Sequence, residues 1–396
     1  MDEARLSSLL SRLSYVRGDY GTEDLYDRLA QSLSAHTTVL AYLAVPPTVF
    51  TDVACGLMKT ELRNSVRLLI EKPFGTNLAT AQQLANEIDG QISEDRVFPI
   101  DHFLQKESVQ NLLVLRFANR IFEPTWSKDH IASVAVTVAE DFGIEGRAGF
   151  FDTNGTMRDV VQNHVLQIVG ALAMEPPRSW SADAMNDARG EVLAAIVPLT
   201  PSDVIFGQYE GYLQTEGVNP NSTTDTYVQA NLHIDNDRWR GVRWEIVAGK
   251  ALDRTITEVV ITYLPAQETL FIDDCAPERN QIVLQLSPSE SLELSLQARS
   301  ASRSVGTTAT AMVTDESYRS AESLSAYARM FEDARRGDHS QFVRRDVVEA
   351  SWRIVDEVLD PAVRPMAYAQ GTAGPNEHAD DERPDSEQAP GDTNSV

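Results

Sequence analysis

Residues 159–167 read Asp-Val-Val-Gln-Asn-His-Val-Leu-Gln and put a carboxylate and an imidazole five positions apart inside one predicted helix. Met157, Val160, Val161, His164, Ile168, Ala171 and Leu172 fall on one stripe of that helix, so His164 faces its apolar side. A core histidine satisfied by one hydrogen bond would sit there too. The catalytic reading is sharper: a neutral imidazole, with its far nitrogen held by a carboxylate, takes the proton of a hydroxyl group whose carbon is being oxidised. Asp159 is the expected holding group. Five residues turn about 140° around a straight helix, so the pair needs an irregular helix start or a second carboxylate such as Glu140.

Other residues carry compatible chemistry. Asp101-His102-Phe103-Leu104-Gln105-Lys106 places an imidazole and an ammonium four apart, which suits a phosphate or carboxylate monoester, although a polar helix start reads equally well. Glu71-Lys72-Pro73 ends an apolar run, where a lysine can bridge a cofactor and a substrate hydroxyl and a proline can lock the turn. Lys250, in Ala-Gly-Lys-Ala, ends another run. Lysine is scarce, at Lys59, Lys72, Lys106, Lys128 and Lys250 only, so three lysines at expected strand ends point toward function. No His/Cys group has metal-ligand spacing.

The elements that must position these residues change grammar along the chain. Residues 22–34 space apolar groups as a helix does. Strands are expected at 37–45, 66–71 and 97–101, with helices at 48–58 and 78–88 between them. Alternation of strand and helix implies a parallel sheet, whose ligands sit at the carboxyl ends of the strands. Pro46-Pro47, Lys72-Pro73 and Asp101-His102 all fall there. Helices at 106–119, 156–174 and 182–196 and a strand at 131–140 follow. Strands at 227–235, 244–247, 258–263, 281–287 and 292–297 then run with no helix between them, as in an antiparallel sheet. Helices return at 325–336 and 342–359. The expected fold is therefore α/β plus α+β. A partial Rossmann-like parallel-sheet domain spans 1–98, and a larger substrate and oligomerisation domain with a mostly antiparallel sheet spans 99–365. A disordered acidic tail spans 366–396, on the seven acids, one arginine and absent aromatics of 371–396.

Composition limits the partners. With 396 residues and 42% hydrophobic content the chain can build a proper core. A net charge of −25 argues against nucleic acid and anionic membranes. No apolar run of membrane-spanning length occurs. Cys55 and Cys275 are the only cysteines, so a disulfide framework is excluded and a cytoplasmic location is expected. The first glycines are Gly18, Gly21 and Gly56, and no glycine-rich dinucleotide turn precedes them. The spacing Gly143, Gly146, Gly149 reads as a plain turn.

Several of these stretches, in order, resemble the glucose-6-phosphate dehydrogenase family. They are Ser14-Tyr15-Val16 with Gly18-Asp19-Tyr20; residues 42–50 (YLAVPPTVF); Glu71-Lys72-Pro73-Phe74-Gly75; residues 100–107 (IDHFLQKE); residues 110–120 (QNLLVLRFANR); Glu145-Gly146-Arg147 with Phe151-Asp152; residues 158–167; and Gly249-Lys250-Ala251-Leu252. The resemblance covers roughly residues 14–360. The DHxxxK and RDVxQNHxxQ pair is specific, whereas the Glu-Lys-Pro turn alone also resembles other sugar dehydrogenases of the Gfo/Idh type.

The resemblance implies oxidation of glucose 6-phosphate at C1 to the 6-phosphoglucono-lactone, in the pentose phosphate pathway, with NADP or NAD. It implies His164 as base and Asp159 as its partner, and His102 and Lys106 on the sugar phosphate. It places Lys72, Glu140 and Lys250 on sugar hydroxyls or phosphate, and Lys72, Pro73 and Pro46 beside the cofactor. A homodimer or homotetramer is implied, with a full-length paralogue as a further possible partner. Three departures stand out: Phe103 where the family has a tyrosine, Thr255 where it has a basic residue, and a start after the family's Gly-x-x-Gly-Asp-Leu turn, which reads as an N-terminal truncation. The rival reading is a catalytically silent relative that binds sugar phosphate or joins a full-length dehydrogenase.

Overall fold

The computed structural model describes residues 3–101, 104, 106–266, 279–299, 305–313, 326–359 and 363–375. Helices α1 (Glu3–Leu10) and α2 (Glu23–Leu33) lead into β1 (Val39–Leu43), α3 (Phe50–Met58), β2 (Val66–Ile70), α4 (Leu78–Asp89) and β3 (Val97–Pro99). The three strands form a parallel sheet in the order β1-β2-β3. Strand alternation sends their side chains to two faces. Val66, Leu68 and Ile70 pack on one side with Leu25, Tyr26, Phe50 and Leu57 from α2 and α3. Leu69 and Phe98 pack on the other with Met330 and Ala334 of a late helix. The sheet is thus covered on both faces, as parallel sheets are.

The second unit follows as α5 (Glu107–Ala118), β4 (Ile131–Ala139), α6 (Ala148–Thr156), a π-helical segment (Met157–Val165), α7 (Leu166–Ala173) and α8 (Ala182–Ala195). Strands β5 (Val204–Tyr209), β6 (Tyr227–Leu232), β7 (Arg243–Gly249), β8 (Ile256–Tyr263), β9 (Gln281–Ser287), β10 (Ser291–Arg299) and β11 (Val305–Val313) come next. Helices α9 (Ala326–Arg336) and α10 (Arg345–Val355) and strand β12 (Met366–Tyr368) complete it. The sheet runs β11-β10-β9-β8-β4-β7-β6-β5-β12. Its pairs are antiparallel except β4 with β7 and β5 with β12. One face carries Val134, Val136, Trp244, Ile246, Val259 and Ile261 into a core shared with the π segment, α7, α8 and α10.

Two expectations are corrected here. The single helix expected at 156–174 is two pieces, the π-helical segment and α7, and α6 precedes them across a break at Gly155. Gly155 has φ +67°, and a Cβ there would lie 2.3 Å from Oδ1 of Asp225. Asp225 supplies the reason for the break: its carbonyl accepts the Thr156 N–H at 2.9 Å and its carboxylate accepts the Met157 N–H at 2.7 Å. A helix restarting on that cap then widens to i→i+5 pairing, and Asn163 Nδ2 donates to the Arg158 carbonyl at 2.9 Å within it. The tail expected to be disordered from 366 instead pairs with β5, because Tyr368 buries its ring and donates its hydroxyl to the Lys250 carbonyl at 2.6 Å. The tail residues 376–396 lie outside the described residues.

Candidate active site

The parallel strands bring their carboxyl ends to one edge of the first sheet. Pro46 follows β1, Lys72 and Pro73 follow β2, and Asp101 follows β3. The Lys72–Pro73 peptide is cis. Behind it Gly75, at φ +80°, lets the chain pass α4 so closely that a Cβ would meet the Ala81 nitrogen at 2.4 Å. Trp352 of α10 donates its indole N–H to the Phe74 carbonyl at 2.9 Å. Arg158 reaches from the π segment to the Thr76 carbonyl at 3.0 Å. The turn that aims Lys72 is thereby tied to the second unit at two points.

His164 projects from the π segment toward this edge. Its Nδ1 lies 3.1 Å from Oδ1 of Asp101 and 2.9 Å from Nζ of Lys72, and Lys72 Nζ lies 3.0 Å from Oδ2 of Asp101. Asp101 is 1% exposed. Burial alone would push its carboxyl up, but Lys72 and His164 outweigh that and hold it well below the usual carboxylate range. Burial also lowers the Lys72 ammonium, against the opposing pull of Asp101. An ionised carboxylate accepts only, so it calls for a donor on each oxygen. The arrangement that supplies both has Nδ1–H of His164 on Oδ1 and the ammonium on Oδ2, with the lone pair of His164 on Nε2. The short Lys72–His164 separation is then the approach of two donors across one carboxylate.

The carboxylate on Nδ1 is therefore Asp101, and the expected Asp159–His164 pairing is corrected. Asp159 nonetheless belongs to the same region. In an i→i+5 helix, residues five apart come nearly into line, so Asp159 and His164 share a face after all. Burial raises the Asp159 carboxyl, opposed by Arg147, Lys250 and Lys72. Sequence reasoning passed over Asp101 as a partner although its signal was present: an acid ending an apolar strand at the mouth of a parallel sheet.

A second pair arises from register. β4 and β7 are parallel neighbours with Ala139 opposite Gly249, so Glu140 and Lys250 are the next residues in step. Lys250 donates to Glu140, and its ammonium also lies 5.3 Å from the Phe151 ring and 5.5 Å from the Phe142 ring. Tyr368, which sequence reasoning did not single out, steadies the Lys250 backbone. Lys106 occupies the N-cap position of α5, and burial lowers its ammonium against the pull of Asp101 and Glu140. The structure thus gathers Lys72, Asp101, Lys106, Glu140, Asp159, His164 and Lys250 into one electrostatic neighbourhood. His102 and Phe103 lie outside the described residues.

Comparison with known proteins places the chain in a family. The profile of the glucose-6-phosphate dehydrogenase NAD-binding domain matches residues 1–111, and that of the C-terminal domain matches residues 113–387. The chain belongs to the glucose-6-phosphate dehydrogenase family. It is 39% identical over 401 residues to glucose-6-phosphate 1-dehydrogenase of Dictyostelium discoideum, covering 94% of this chain and 80% of that one. The crystal structure of glucose-6-phosphate 1-dehydrogenase from Mycobacterium avium superposes with a TM-score of 0.88 at 39% identity, over 95% of this chain and 81% of that one. A glucose-6-phosphate dehydrogenase solved in complex with its substrate superposes with a TM-score of 0.87 at 33% identity, over 95% of this chain and 82% of that one.

As a glucose-6-phosphate dehydrogenase, the chain is an oxidoreductase that takes glucose 6-phosphate as substrate and NAD(P) as cofactor. These matches do not favour the catalytically silent reading. The NAD-binding profile takes residues 1–111. The residues at the edge fit the reacting end of a nicotinamide cofactor: a buried cation at Lys72 beside two prolines, at the carboxyl ends of parallel strands. Among the described residues no helix is long and apolar enough to cross a membrane.

Proposed function

We propose that His164 is the base of this dehydrogenase and that Asp101, not Asp159, holds it. The single supporting observation is the 3.1 Å contact of His164 Nδ1 with a carboxylate that burial and Lys72 keep in place. With Nδ1–H engaged, Nε2 presents its lone pair to the C1 hydroxyl of the sugar and takes its proton as the lactone forms. Asp101 stays ionised and stabilises the imidazolium that results. When bound, the nicotinamide accepts the hydride from C1. Lys72 orients the reacting end, flanked by Pro46 and Pro73 on the cofactor side. Asp159 and the Glu140–Lys250 pair face the sugar hydroxyls. Lys106, with His102, takes the phosphate, where a partly desolvated ammonium gains most from a dianion.

In this reading the parallel-sheet unit serves the cofactor and the larger unit the sugar. The half-exposed stripe of the second sheet, including Ala135, Val247 and Val260, meets a second copy of the chain in a homodimer or homotetramer. Two cysteines in 396 residues agree with a cytoplasmic location. His164→Ala tests the base. Glucose 6-phosphate-dependent reduction of NAD(P) is expected to fall about 10²–10⁴-fold with sugar-phosphate binding retained. Retention of full turnover by that variant would remove His164 from the mechanism.

A further inference from the structure

A cavity of about 620 Å³ opens between the two units, behind the turn that carries Lys72. Its walls are the underside of α4, the strand ends of β2 and β3, the start of α8 and the segment leading into α10. None of Lys72, Asp101, Lys106, Glu140, Asp159, His164 or Lys250 lines it. The space exists because small residues, Ala81, Ala85 and Ala182, stand where larger ones would fill it, and the floor is apolar with Leu84, Ile88 and Val348. Its volume is that of a small-molecule site.

Two features narrow what such a molecule must be. Asn186 is 3% exposed, lines the cavity, and its Oδ1 has no hydrogen-bond partner among the described residues. A buried acceptor of that kind is normally satisfied, so the occupant brings an N–H or O–H donor. The mouth is acidic. Asp183, Glu94, Asp95 and Asp338 line it, and its two arginines are already engaged. Arg344 holds Asp187 and Asp346, and Arg345 holds Asp89 and Glu349. Anionic ligands are repelled and cations drawn in. Asp183 and Asn186 are one turn apart on the same face of α8, so one ammonium can donate to Oδ1 and face the carboxylate together.

We propose that this cavity is a binding site for a small arylalkylamine, with the ring on the apolar floor and the protonated nitrogen between Asn186 and Asp183. Three indoles of similar shape test it by calorimetry and ligand-observed NMR on the full chain: tryptamine, indole and indole-3-acetate. Tryptamine is expected to bind at least tenfold more tightly than indole-3-acetate, with indole between them, and an excess of glucose 6-phosphate is not expected to displace it. Ala85→Phe fills the floor and is expected to abolish binding. Asp183→Lys, at an exposed position, is expected to weaken tryptamine at least tenfold and to narrow its advantage over indole-3-acetate. No binding of tryptamine at millimolar concentration, equal affinity for the amine and the acid, displacement by glucose 6-phosphate, or an unchanged affinity in Asp183→Lys would each overturn the proposal.

Discussion

Oδ1 of Asp101 meets Nδ1 of His164 at 3.1 Å across 63 residues of sequence. The contact joins the end of a parallel strand to a π-helical segment of the other unit, so the pair exists only when both units are folded against each other. Its consequence is tautomeric. A carboxylate that accepts at Nδ1 fixes the proton there and frees Nε2. In protein labelled with 15N at histidine, the His164 signals at pH 8 are expected to show a protonated Nδ1 and an unprotonated Nε2. Asp101→Asn is expected to mix the two tautomers.

The turn carrying Lys72 depends on a close passage rather than on side-chain packing. Gly75→Ala places a Cβ 2.4 Å from a backbone nitrogen of α4 at a φ of +80°. Neither strand nor helix can give way there cheaply. The variant is expected to lose roughly 2–4 kcal/mol of stability, read as a fall in the denaturant midpoint.

How much of this was legible in the sequence follows from what each residue's role depends on. The first sheet was readable because apolar runs such as Val66–Ile70 end at Pro or Gly and alternate with helical spacing. His164 was legible as a candidate from its stripe and from the likeness of its segment to a family motif. Its partner was not. Asp159 is near in sequence and Asp101 is near in space, and only the closing of β3 against the π segment distinguishes them. The π segment itself was hidden, since its cause is Asp225, some 68 residues after the Met157 N–H that it caps. Strand β12 escaped notice because three residues carry no periodicity, and its anchor is a tertiary hydrogen bond from Tyr368 to Lys250. Strand β5 (VIFGQY) was interrupted by Gly207, which fits against Tyr227 and Tyr368 where a side chain would clash.

Asp225 gives a pH dependence with a definite sign. Burial pushes its carboxyl up to about 6, although the Met157 and Thr156 N–H groups pull it down. An unfolded aspartate titrates near 3.9, so the folded chain keeps the proton to higher pH than the unfolded chain. Stability from this group is therefore present below about pH 4 and is lost as pH rises through about 6. Asp225→Asn keeps an acceptor for the Met157 N–H without the charge. Relative to the parent, its stability is expected to improve by roughly 2–3 kcal/mol more at pH 8 than at pH 4. An equal difference at both pH values would show that the carboxyl is not perturbed.

The Glu140–Lys250 pair is set by strand register, and on the proposed role of both residues at the sugar, breaking it is expected to act on substrate binding. Lys250→Met removes the cation that donates directly to Glu140. KM for glucose 6-phosphate is expected to rise about tenfold or more, with a smaller change in kcat. Because Glu140 is partly exposed, the melting temperature is expected to move little.

The assignment of Asp101 as the group that holds the base is tested most directly by kcat of Asp101→Asn and Asp159→Asn measured side by side, with saturating glucose 6-phosphate and NAD(P). Asp101→Asn is expected to lower kcat by about 10³–10⁴-fold, in keeping with loss of the orienting carboxylate. Asp159→Asn is expected to act mainly on KM. A large loss of kcat in Asp159→Asn with Asp101→Asn near the parent rate would contradict the account.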